Sequence, residues 1–155
     1  MGAEARLKER NITLPPTATP LANYVGVVRA GNLLFVAGHG PFRRADGTFT
    51  AHGKLGRDLS VEQGYQVARE VGLNLLATVR ASLGSLDDVT RIVKVLGMVA
   101  SAEGFGDQPK VINGFSDLMV EVFGEAIGKH ARSAVGLAEL PMGIPVEIEM
   151  VVEVA

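Results

Sequence analysis

An α+β fold, a mostly antiparallel sheet with two helices on one face, is predicted by three features of this 155-residue chain. Strand-like and helix-like stretches follow one another in the order β-β-α-β-α-β-β. Two amphipathic stretches, 60–83 and 108–123, carry their own helix start and stop signals. Residues 146–154 alternate strictly between apolar and mostly acidic side chains, as a half-buried strand does. Two helices cover only one face of a sheet. The other face needs a different cover, and association of several copies is the simplest.

Taken in order, residues 3–10 are polar and helix-prone, and 14-LPPTATP-20 cannot continue a helix because its prolines remove donors and fix φ. Residues 1–20 therefore read as an N-terminal helix and a Pro-rich linker, and 21–155 as a single domain. Tyr24, Val25, Val27 and Val28 predict a first strand, Gly31-Asn32 a tight turn, and Leu33 to Ala37 a second, apolar strand ending in 38-GHGP-41. Residues 43–59 form a polar connection around an Asp46-Gly47 turn, with room for one short strand. Ser60 and Gln63 make a capping box for the first long helix. Its stripe runs through Val61, Tyr65, Ala68, Leu75, Leu76, Val79 and Leu83, and Gly84 ends it. Gly72 lies on the stripe and predicts close packing on the sheet. Residues 90–101 are rich in β-formers. The second helix has Asp107 as N-cap, Pro109 in its first turn, a stripe of Val111, Phe115, Leu118, Met119 and Val122, and Gly124 as its stop.

Residues 131–138 and 146–154 flank 140-LPMGI-144 and read as a closing hairpin. In that register Val135 lies near Ile148 and Leu137 near Val146. Arg132, Ala134, Gly136 and Ala138 then share a face with Glu147 and Glu149, either a solvated face or the floor of a site.

Composition narrows the functions. An apolar fraction of 47 % is enough to bury a sizeable core. A net charge of −2, with no dense basic patch, argues against nucleic acid as a partner. Cysteine is absent, so disulfides and thiolate chemistry are excluded. His39, His52 and His130 stand far apart without ligand spacing, so no metal site is expected. No signal-peptide core and no apolar run near 18 residues is present. The expectation is no membrane partner and a cytoplasmic location.

With these residues in view, 14–154 resembles the YjgF/RidA family, also known as the L-PSP endoribonuclease or translation-inhibitor family. The most specific stretch is 131-ARSAVGLAELPMGIPVEIEM-150, with its Arg-Ser start, spaced Leu-Pro and closing Glu-Ile-Glu. 36-VAGHGP-41 resembles the family's Ser-Gly-Gln-x-Pro strand end. The chain length and 108-QPKVINGFSDLMVEVFGEAIGKHARSAVG-136 resemble the long-chain branch. The resemblance implies a chorismate-mutase-like fold and a homotrimer with clefts between subunits. It implies cofactor-free hydrolysis of small 2-imino and enamino acids to 2-oxo acids and ammonia. Carried over residue by residue, Arg132 would bind the substrate carboxylate and Glu147 would position the attacking water. Tyr24 and Asn113 match the pocket Tyr and Asn, and Gly38 the glycine whose backbone lines the pocket. Three positions depart: Ala37 stands for Ser, His39 for Gln, and Ala134 for a Cys common in the family.

Each role has a plain structural counterpart. Arginine grips a carboxylate through two parallel hydrogen bonds, yet Arg132 also suits an intersubunit salt bridge. Spacing alone does not choose among Glu147, Glu149 and Glu153; the resemblance does. His39 either donates a proton near neutral pH or simply bonds to backbone. His130 precedes the motif and would line the cleft rim, and His52 is a surface residue. In the hairpin register Glu147 lies opposite Gly136, roughly 13 Å along the sheet from Arg132 at about 3.3 Å per residue. That separation favours a site completed between subunits. The competing classes are a small-carboxylate binding or regulatory protein without turnover, and an endoribonuclease.

Overall fold

The strictly alternating stretch near the C-terminus becomes the middle of the fold. In the computed structural model residues 1–17, 20 and 22–155 are described; Ala18, Thr19 and Leu21, within the expected linker and at the expected domain start, lie outside them. Helix α1 spans Ala3–Glu9, strands β1 Val27–Ala30 and β2 Leu33–His39, helix α2 Val61–Leu83, and strand β3 Val89–Ala100. Helix α3 spans Gln108–Phe123, a single turn α4 Glu125–Gly128, strand β4 Ala131–Leu137 and strand β5 Val146–Val154. The sheet order is β1-β2-β5-β3-β4. Only the β3–β4 pair is parallel, because α3 carries the chain across between those strands.

Val146, Ile148, Met150, Val152 and Val154 are each at most 3 % exposed and face α2 and α3. Ser60 accepts from the Gln63 amide while the Gln63 side chain accepts from the Ser60 amide, the expected capping box. Gly84 closes α2 in the left-handed region at φ 87°. Asp107 precedes α3 without capping it. Gly72 is tight as expected, but against Leu118 and Phe115 of α3, not against the sheet. The partner position is Gly114, where a Cβ would strike the Tyr65 carbonyl. The two helices thus cross in backbone contact. α1 buries Ala3 and Leu7 in the same core, and its Glu4 carboxylate accepts from the Leu86 amide. No helix among the described residues is long and apolar enough to cross a membrane.

The closing hairpin does not form. β5 inserts between β2 and β3, and β4 pairs only with β3, at the sheet edge. Met98 is level with Glu147 on one side and Val135 on the other. Val135 therefore shares a face with Glu147, not with Ile148, and is 41 % exposed. Likewise Val95 is level with Met150 and Arg132, so Arg132 lies on the helix-covered face. The expected common face for Arg132 and Glu147 is overturned: they occupy opposite faces of the sheet. The cause is the intervening strand. Alternation sets which residues of one strand point together, but not which face they take once a third strand sits between.

The face away from α2 and α3 carries Val28 at 55 %, Phe35 at 47 % and Val135 at 41 % exposure, beside Glu147 and Glu149.

Candidate functional site

Two separate stations emerge, one around Glu147 and one around Arg132.

The first lies where β2 meets β5. Glu147, Gly38, Ala37, Tyr24, Val25 and Met142 contribute to the wall of a cavity of about 560 Å3. The Glu147 carboxylate sits so closely over Gly38 that any side chain there would displace it. That contact explains the glycine. Burial pushes the Glu147 carboxyl above the ordinary glutamate range, and the charge of Glu149 pushes the same way. A carboxyl so shifted exchanges protons more readily near neutral pH. Glu149 is exposed, and Glu153 accepts from the Asn32 side chain and from Thr90. The three glutamates, alike in sequence, are distinguished by their surroundings: Glu147 and Glu149 both border the cavity, but only Glu147 is half-buried there, seated against Gly38. Tyr24 precedes β1 instead of lying within a strand, and is 47 % exposed at the cavity rim.

His39 borders this cavity, but its ring turns toward α2. Nδ1 donates to the Ala37 carbonyl at 2.6 Å and Nε2 accepts from the Thr78 hydroxyl at 2.7 Å. At 8 % exposure, burial holds His39 below the ordinary histidine value, partly opposed by the Ala37 bond. Both nitrogens are occupied, so the backbone-bonded alternative describes this residue.

The second station is at the sheet edge, where β4 passes α3. Arg132 Nη1 donates to Asn113 Oδ1 at 2.9 Å and to Ser116 Oγ at 3.0 Å, and Nη2 donates to the Pro109 carbonyl at 3.3 Å. Asn113 and Ser116, three apart on α3, present themselves on one helix face. The Ser116 hydroxyl then donates to His130 Nε2 at 2.9 Å, and His130 Nδ1 donates to the Gly128 carbonyl at 2.7 Å. Phe115 meets the His130 ring edge-on at 5.9 Å. Burial keeps His130 neutral to lower pH than usual, which suits its role as acceptor in this chain. Arg132 is thus held in one orientation from behind. Ala134, two residues on along the same face, packs against the core. His52 is exposed, as expected.

Within one chain the stations cannot share a small ligand. Arg132 and Glu147 are three residues apart along the strands and two strands apart across them, on the order of 14 Å at 3.3 Å per residue and 4.8 Å per strand, and on opposite faces. Ser116 was not singled out by sequence. Its position one turn beyond Asn113 was the available signal. Among the described residues no cluster of three His, Asp or Glu side chains offers a metal site.

A sheet backed by two crossing helices, with a guanidinium held at its edge and a half-buried carboxyl in a glycine-lined cavity, defines a class of small-molecule-sized sites on a chorismate-mutase-like scaffold. Residues 4–150 match the family described as "YjgF/chorismate_mutase-like, putative endoribonuclease", and the chain belongs to that family. It is 44 % identical over 149 residues to protein TCP17 of Trypanosoma cruzi, covering 96 % of this chain and 92 % of that one. The crystal structure of Atu1372 of Agrobacterium tumefaciens, a protein of unknown function, is similar at 42 % identity and a TM-score of 0.86, covering 98 % of this chain and 91 % of that one. A structure from Shewanella oneidensis, titled a "putative endoribonuclease", is similar at 29 % identity and a TM-score of 0.92, covering 99 % and 100 %.

Proposed function

We propose that this protein hydrolyses small 2-imino and enamino acids to 2-oxo acids and ammonia, in a cleft that two subunits complete. The observation that carries the reading is the pre-oriented Arg132 at a sheet edge, together with a carboxyl of raised pKa in a cavity on another surface of the same chain. Each is half of what the chemistry needs. Arg132 of one subunit grips the substrate carboxylate, with Asn113 beside it. Glu147 of the next takes a proton from water as the water oxygen bonds to the imine carbon. Glu147 returns that proton to the nitrogen of the carbinolamine formed from the protonated imine, then takes the hydroxyl proton as the carbonyl forms and the C–N bond breaks; the departing ammonia carries that proton away as ammonium. Protonated imines are already electrophilic, so positioning supplies most of the acceleration. The reaction asks only for proton transfer.

The same reading closes the apolar open face. Val28, Phe35 and Val135 are the residues a homotrimer would bury, and the cleft forms at its seams.

The test follows ammonia release while an amino-acid oxidase or a threonine dehydratase generates the imine in place. Wild type is expected to accelerate it, and Arg132→Ala to lose the acceleration. Equal rates with the two proteins sink the deaminase reading.

A second reading, a small-carboxylate binding protein without turnover, draws support from Ala37 and Ala134, which bring no hydroxyl or thiol to either station. Thermal stabilisation by 2-oxo acids with no ammonia released would favour it. The ribonuclease named for the relatives finds less support in a cavity with a carboxylate wall and a net charge of −2. Cleavage of RNA by purified protein, lost in Glu147→Gln, would bring it forward.

A further inference from the structure

We infer that His39 is a positioning residue: through the Ala37–Gly38 bulge it aims the Gly38 N–H and the Glu147 carboxyl into the same cavity. The inference rests on the hydrolase reading for its kinetic consequence, but its geometry stands apart from it.

The register breaks at this point. Val36 pairs with Met150 and His39 with Ile148, so three steps along β2 match two along β5. The extra residue is a bulge, and bulges re-aim what they carry. His39 spans it. Its ring lies on the helix side, tied by Nε2 to Thr78 of α2, and its Nδ1–H holds the Ala37 carbonyl on that side at 2.6 Å. The peptide between Ala37 and Gly38 is trans. In a planar trans unit the N–H points opposite to the C=O. Turning the Ala37 carbonyl toward α2 therefore turns the Gly38 N–H toward the cavity, where the Glu147 carboxylate rests against Gly38. The His39 ring makes its hydrogen bonds to Ala37 and Thr78, not to Glu147. It acts through one peptide plane, and Thr78 is the anchor that keeps the ring there.

The chemistry of the pin is narrow. It needs one donor for the Ala37 carbonyl and one acceptor for the Thr78 hydroxyl, on a side chain long enough to reach both. Neutral imidazole provides them. Glutamine offers an N–H and a carbonyl at similar reach, and leucine offers neither.

The experiment uses His39→Gln, His39→Leu, Thr78→Val and the Leu/Val double variant, each verified as folded by circular dichroism. Glu147 is followed by carbon-13 NMR titration of its carboxyl, and ammonia release gives kcat and KM. In His39→Leu and in Thr78→Val the Glu147 titration is expected to move toward the ordinary glutamate range, while His39→Gln holds it near wild type. kcat is expected to fall about tenfold in His39→Leu with KM within about twofold, because carboxylate binding belongs to the other station. The double variant is expected to be no worse than the weaker single one, since both break the same pin. An unmoved Glu147 titration in folded His39→Leu and Thr78→Val overturns the inference, as does a double variant whose losses multiply. Wild type that releases no ammonia defeats the hydrolase reading alone, and the titration then decides on His39. If His39→Leu does not fold, Thr78→Val and His39→Gln decide it on the same readouts.

Discussion

Gly38 and Glu147 are the tightest pair in the molecule that bears on chemistry. A methyl group at Gly38 would occupy the volume of the Glu147 carboxylate. Gly38→Ala is therefore expected to expel that carboxylate from the cavity and lower kcat about tenfold or more, with folding intact by circular dichroism. Retention of full activity would show that Glu147 works from another position. The same carboxylate is expensive to keep. Its folded pKa lies above its ordinary value of 4.5. The protonated form is thus favoured by folding, and stability is fully present below pH 4.5 and falls as pH rises through the raised folded value. Glu147→Gln removes a proton-linked group whose ionised form is half-buried. Its Tm is expected to exceed that of wild type at pH 8 and to match it near pH 4, while ammonia release is lost. A Tm difference that does not narrow on acidification would contradict this assignment of the cost.

At the scale of elements, α2 and α3 decide where both stations sit. They meet through glycines, Gly72 against Leu118 and Phe115, and Gly114 against the Tyr65 carbonyl. Backbone contact at Gly114 leaves no room for relaxation by a side chain. Gly114→Ala should separate the helices and cost about 1–3 kcal/mol, measured as a lower midpoint in urea with an unchanged slope. Because α3 carries Asn113 and Ser116, the variant should also weaken the hold on Arg132 and raise KM. The helices were readable from sequence: the capping box at Ser60, Gly84 and Gly124 as stops, and the apolar stripes all depend on residues within one or two turns of each other. The pairing of strands was not. The short turn 140-LPMGI-144 looks like a hairpin loop because nothing local says that another strand will occupy the space between its arms.

At the scale of the whole molecule, the open face is the feature that a single chain leaves unfinished. Phe35 is nearly half exposed at the middle of β2, beside Val28 and level with Val151. Phe35→Glu places a charge where a neighbouring copy is expected to pack. The protein should then run as a monomer by light scattering, remain folded, and lose ammonia release even though Arg132 and Glu147 are untouched. A trimeric and active Phe35→Glu protein would argue that this face is not the interface.

What the sequence by itself determined is local. Residue order dictates the two long helices with their caps, the apolar and acidic faces of β5, and the family to which 131-ARSAVGLAELPMGIPVEIEM-150 and 36-VAGHGP-41 point. Tertiary structure decided the rest. It put β3 between β4 and β5 and so sent Arg132 and Glu147 to opposite faces. It half-buried Glu147 against Gly38 while leaving Glu149 exposed, and turned His39 inward onto Thr78. The physical reason is range. Caps, turns and alternation are set by neighbours in the chain, whereas strand order and burial are set by which surfaces compete for the same core, a contest among residues far apart in sequence.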